Sequence, residues 1–394
     1  MTKQSCPSVL VVMLLFTACL CAYATQVATA SDDSVIRFQD PAFEAVVREE
    51  LGIPEGAIRR SHAKNITYLS IEGRGISDLS GIEYFTELEA LDCCVNNLTE
   101  LDLSQNTKLT SLACEGNPLT SLNVRGNLNL EALYCSAAKL TTLDVSQNTA
   151  LKLLDVRLNK LTTLDVSQNV LLEKLYCDSN RLTALDVRSN AALVRLDCSY
   201  NQITELDMSP NAALTHLLCQ HNQLTALNMR SNAALELLHC GNNQLETLDV
   251  SHNALLRTLT CNNNRLTKLD VFNNTALTLF NCQENQLVTL DVSQNGLLET
   301  FDCGNNQLTV LDVTNNTKLV YLTCNNNEID TLDLRQKTLL EYVYCENNRI
   351  STLDVRHSVE LRQITCENNL FPDRSAILGL DESKLRLFRF DPQG

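Results

Sequence analysis

Leucine returns at every twenty-first position from Leu88 to Leu361, without exception. Three residues later comes a second apolar column, Leu or in its place Phe280, Phe301, Val343 and Ile364. Two further on stands cysteine, from Cys93 to Cys366, replaced once by Val156. Asn follows after three more residues, from Asn96 to Asn369, replaced once by Ala138. Leu101 to Leu353 and Leu103 to Val355 make two more columns. The unit reads L-x-x-L-x-C-x-x-N-x-L-T-x-L-D-V-S-x-N-x-x and runs fourteen times. L-x-C and L-D-V alternate with period two, so each is predicted as a short strand with alternate side chains inward. The Asn-bearing stretches between them are predicted turns. Nothing inside the unit is long enough for a helix. One unit cannot bury its apolar face alone, but stacked units can, each strand pairing with its equivalent in the next coil. In-register stacking at about 4.8 Å per coil makes a rod on the order of 60 Å long.

The sulfur column follows from that geometry. Each Cys points inward beside Leu, where a thiol packs as a small hydrophobe. Neighbouring Cα atoms about 4.8 Å apart lie within nominal disulfide reach, but parallel strands aim both Cβ atoms the same way and oppose the near-perpendicular torsion. The column has thirteen members, an odd number, and Val156 shows that an apolar side chain substitutes directly. Sulfurs in a line do not converge on a tetrahedron. A ladder of buried, reduced thiols is therefore expected, with rung-to-rung disulfides and a metal-thiolate array as the alternatives. Cys94, next to Cys93, is expected to point outward, to react and to crosslink two molecules. The Asn column is read as structural, its amides satisfying the turns.

A solenoid needs caps. Ahead of the repeats, Asp40 suits a helix N-cap, Pro41 the first helical position and Gly52 the stop, with Phe43, Val46, Val47 and Leu51 as an apolar stripe. Residues 36–65 are read as a helical N-terminal cap and 66–370 as repeats, the first with a 22-residue spacing and Ile71 in the cysteine column. Residues 371–394 leave the pattern and form a C-terminal cap. In it, "KLRLFRF" is predicted as a closing strand whose Lys384, Arg386 and Arg389 guard an exposed edge. At the other end Lys3, the apolar run Val9 to Leu20 and Ala22-Tyr23-Ala24 read as a secretory signal over 1–24, with a linker over 25–35. A lipoprotein signal ending at residue 18, with a lipid anchor on Cys19, is the alternative. No transmembrane segment and no C-terminal anchoring tail is read.

The fourteenfold L-x-x-L-x-C-x-x-N-x-L resembles the leucine-rich repeat superfamily and, within it, the internalins, above all their cysteine-ladder branch with 21-residue repeats. The resemblance covers about residues 36 to 370. It implies a β-rich solenoid, a leucine-rich repeat rod with parallel strands on both faces and a short helical N-terminal cap. It also implies secreted or cell-surface recognition and adhesion. The superfamily shares a shape and not a ligand, so the ligand has to be sought in the side chains that face out.

Composition narrows the partners. The net charge of −16 opposes nucleic acid and anionic lipid. A protein or a glycan, for instance on a host cell, remains. On the L-x-x-L-x-C strand the outward residues flank the second Leu. A patch emerges there from Tyr134, Asp155, Lys174, Tyr176, Arg195, Asp197, Tyr200, His216 and His239, rich in the aromatic and Arg types that carry interface energy. Tyr321, Tyr342 and Tyr344 form a second cluster. The bland alternative for both is strand residues chosen for β propensity. An outward column of carboxylates from Asp102 to Asp354 is read as local turn capping; as a second reading it makes the chain a structural or cation-binding rod, with calcium the ion it would gather. No other cofactor is expected. His216, His221 and His239 are read as surface residues and not a zinc site. With no triad, phosphate loop, paired-cysteine zinc motif or inserted catalytic domain, the chain is read as a non-enzyme, a β-solenoid polysaccharide-cleaving enzyme being the best catalytic alternative.

Overall fold

The computed structural model describes residues 33–393. The expected signal over 1–24 and Cys19 fall outside them. Each 21-residue unit makes one coil. Its strand covers three residues, the central Leu and its two neighbours, from β1 (Tyr68–Ser70), β2 (Ala90–Asp92) and β3 (Ser111–Ala113) onward. Next come β4 (Ala132–Tyr134), β5 (Leu153–Asp155), β6 (Lys174–Tyr176), β7 (Arg195–Asp197), β8 (His216–Leu218) and β9 (Leu237–His239). These strands and their successors form one sixteen-stranded parallel sheet whose order follows the chain, ending on Leu387–Arg389. The register steps by the repeat, Leu154 opposite Leu175 and Leu175 opposite Leu196.

The Cys column and nearly all of the Leu columns are buried and form one continuous core along the rod. All fourteen described cysteines are free. Several thiols donate to the carbonyl of the next coil, Cys93 to Ala113 at 3.3 Å and Cys366 to Arg389 at 3.4 Å. Burial pushes the column's thiols well above their ordinary value, so at neutral pH they stay protonated.

Two stacked Asn ladders close the coils. In the first, Asn180 Nδ2 donates to the carbonyls of Val156, Cys177 and Asp178, and its Oδ1 accepts from Leu161 N at 3.0 Å. The second runs from Asn106 to Asn316, each Nδ2 donating to two carbonyls of the preceding coil, as Asn148 does to Val124 and Asn127 at 2.9 Å. Lys337 takes the next place in that ladder, fully buried, its Nζ donating to Thr314 O at 3.1 Å.

The L-D-V face is thinner than expected. Instead of a second continuous sheet it holds single bridges, such as Asp102 with Asn123 and Asn228 with Asp249, and one two-stranded pair, Leu353–Asp354 with Ile377–Leu378. The cause is local. The Asp of L-D-V accepts the amide two residues on, Ser104 N to Asp102 and Ser146 N to Asp144 at 2.9 Å, which turns the chain before a ladder can extend.

At the N-terminal end, helix α1 (Pro41–Leu51) starts at Asp40, whose carboxylate accepts from Ala42 N and Phe43 N, and stops at Gly52 in the left-handed conformation. Phe43, Val46 and Val47 seal the first coil. Asp40 also accepts from the amide and hydroxyl of Ser77, which ties the helix to the solenoid.

Candidate functional site

Parallel register arranges the outward residues of β4 to β9 in two straight files. One runs Ala132, Leu153, Lys174, Arg195, His216, Leu237; the other runs Tyr134, Asp155, Tyr176, Asp197, Leu218, His239. Equivalent atoms are about 4.8 Å apart. Eight of the nine expected site residues therefore share one face. Tyr200 does not join them: it sits three residues past β7, in a left-handed turn at the edge of the coil, with its ring stacked on His221 at 4.2 Å.

Asp155 is on the face but closed. It is 2 % exposed, and Arg157 grips it through Nε and Nη2 at 3.0 and 2.6 Å. The same guanidinium lies 5.2 Å from the Tyr176 ring centre. Arg157 and Asp178 are the functional residues that sequence reasoning missed. Both follow the cysteine column directly, a file not read as outward. Asp178 is held 3.9 Å from Arg157 and is pushed up to about 6 by burial and by Asp197.

Lys174 and Arg195 are opposite each other in register, and neither forms an ion pair among the described residues. His216 is held below its ordinary value by burial and then by Arg195; His239 is lowered by burial against the pull of Asp197. At neutral pH the face thus offers two adjacent cations, neutral imidazoles, two Tyr rings and the Asp197 carboxylate, which is itself engaged by Ser199. This set recognises a ligand through charge, ring faces and hydrogen bonds.

No family model matches the sequence, and neither does any curated protein. Among solved structures, the functional domain of InlJ from Listeria monocytogenes, which includes a cysteine ladder, superposes with a TM-score of 0.85 at 38% identity, over 87% of this chain and 79% of that one. The chain belongs to the internalin family. InlF of the same organism matches at a TM-score of 0.64 and 21% identity, covering 93% of this chain and 99% of that one. A leucine-rich repeat protein of Leptospira interrogans matches at 0.71 and 22%, covering 84% and 97%. These two share the fold.

Elsewhere on this internalin, Tyr321 packs on Tyr342 and Tyr344 at 5.7 and 5.4 Å, and Tyr344 donates to Gln363. The second aromatic cluster is thus largely satisfied by itself. Along the outward Asp column, the turn amides occupy one oxygen of each carboxylate. Asp144, Asp186, Asp249, Asp333 and Asp354 also pair with arginines. Asp144 and Asp249 are drawn down to about 2, first by the serine two residues on and then by arginine. The column caps its own turns, and no three His, Cys, Asp or Glu among the described residues are grouped to hold a metal ion. Cys94 is 8 % exposed, its sulfur 3.6 Å from Glu115 Oε2, and burial followed by Asp92 pushes it up to about 12. The reactive outward thiol expected there is instead tucked under the next coil and protonated.

Proposed function

We propose that this internalin is a secreted or surface-displayed recognition and adhesion protein, non-enzymatic, that binds a protein or glycan of a host cell across the β4 to β9 face. The observation that carries the reading is the pair Lys174 and Arg195. An acidic chain sets two unpaired cations side by side, against simple like-charge repulsion, in the file next to that of Tyr134 and Tyr176. Export through residues 1–24, or lipidation at Cys19, belongs to the same proposal. The family supports it, and no helix among the described residues is long and apolar enough to cross a membrane.

The test replaces Tyr134, Tyr176 and Arg195 with Ala and repeats a glycan-array and host-surface protein screen with both proteins. The triple variant is expected to lose at least about tenfold in affinity for any ligand the native protein captures, with its melting temperature unchanged. Full retention of every ligand would refute the inner-face site.

A further inference from the structure

Each coil turns its edge through one residue with positive φ, placed two after the cysteine column. From the eighth such turn onward this residue is Asn242, Asn263, Asn305, Asn326, Asn347 and Asn368, interrupted by Glu284. Asn tolerates the left-handed region, and these side chains also bond to one another, Asn263 to Asn242 at 2.7 Å and Asn347 to Asn326 at 2.6 Å. The C-terminal half of the edge is thus a self-satisfied structural ladder.

The N-terminal half abandons it. Val95, Leu158 and Tyr200 occupy the same position at φ of 56, 55 and 52°. A β-branched or bulky side chain there is strained. Burial does not offset the strain: the three are 60, 59 and 53 % exposed. Two residues on, in three successive coils, stand Lys139, Lys160 and Arg181, all exposed. None makes an ion pair or a side-chain hydrogen bond among the described residues. Some exposed cations elsewhere on the rod are matched, as Lys152 is to Glu131 and Arg230 to Asp249, whereas these three stand unpaired in consecutive coils. Strained apolar knobs and an uncompensated cationic file share one edge of a chain that carries −16 overall.

We infer that the coil edge from Val95 to Tyr200 is a docking surface for an acidic protein segment bearing apolar side chains. Those side chains seat on Leu158 and Tyr200 while the carboxylates meet Lys139, Lys160 and Arg181. The file of cations alone would suit any polyanion. The exposed aliphatic knobs favour a protein, because a sulfated or carboxylated polysaccharide has nothing to place on Val95 or Leu158.

The experiment uses a fluorescent synthetic peptide alternating Glu with Leu and Phe, its Glu/Ser counterpart, and heparin as probes, read by anisotropy on the full chain. The native protein is expected to bind the Glu/Leu/Phe peptide and to lose it at high salt. L158N/Y200N, which installs the residue of the C-terminal coils, is expected to weaken binding by at least about tenfold while its melting temperature stays equal or rises. Charge reversal of Lys139, Lys160 and Arg181 to Glu abolishes binding. The inner-face variant Y134A/Y176A/R195A binds the peptide as the native protein does, so failure of this proposal and failure of the inner-face reading are separate results. The inference is overturned if the native protein fails to bind the peptide at about 1 mM, or binds the Ser peptide or heparin equally well. A lower melting temperature for L158N/Y200N overturns it too, since the two residues would then be structural.

Discussion

Asp178 shows how one carboxyl senses the whole face. It lies over the sheet between Arg157 and Asp197, and burial followed by Asp197 raises it to about 6. Folded, it holds its proton more tightly than the unfolded chain does. Its ionisation therefore weakens the fold as pH rises from about 4 to about 6. Asp178→Asn is expected to raise the melting temperature at about pH 7 and to leave it unaltered near pH ~2.5, where both states are protonated. Thermal melts at the two pH values check this; a lower melting temperature at neutral pH would mean that the Arg157 contact outweighs burial. Lys337 is a second residue out of keeping with its column. Burial draws it below its ordinary value against the opposing pull of Asp333 and Asp312, and its Nζ donates to Thr314 O and Arg335 O rather than to the carbonyls that the ladder Asn residues serve.

The coil is the element of this fold, and its Asn decides whether the turn closes. Removing the Asn180 side chain strands Leu161 N and takes one of two donors from each of three carbonyls inside a packed turn. Asn180→Ala is expected to destabilise by about 1–3 kcal/mol, measured by urea unfolding. The reciprocal change is available in the same chain. Ala138 occupies the ladder position where Leu119 N would find its acceptor, so Ala138→Asn is expected to raise the urea midpoint. If both substitutions prove neutral, water replaces the ladder and the turns are not held by it.

Over the whole rod, every coil leans on its neighbours alone, and the sulfurs run inside from end to end. Burial and protonation together make them inert. A thiol reagent is expected to label none of the fourteen described cysteines in the native protein and all of them in denaturant, scored by mass spectrometry. Native labelling of the column would require a different coil register, and with it a different set of outward residues.

The repeat period alone determined the coil, the inward Leu and Cys columns and the two files of β4 to β9, because in-register stacking converts a spacing of 21 residues into a straight row. Helix α1 was equally legible, since Asp40, Pro41 and Gly52 act within one turn of the backbone. Tertiary structure alone decided what lies between coils. Arg157 folds back on Asp155 and closes it, Asp178 gains a raised proton affinity, and Cys94 goes under Glu115. The L-D-V face stays bridged only here and there. The states of Asp178 and Cys94 depend on distances across neighbouring coils and on shelter from solvent, and those of Asp155 and the L-D-V turns on how side chains fold back within a coil; a column of letters carries none of these.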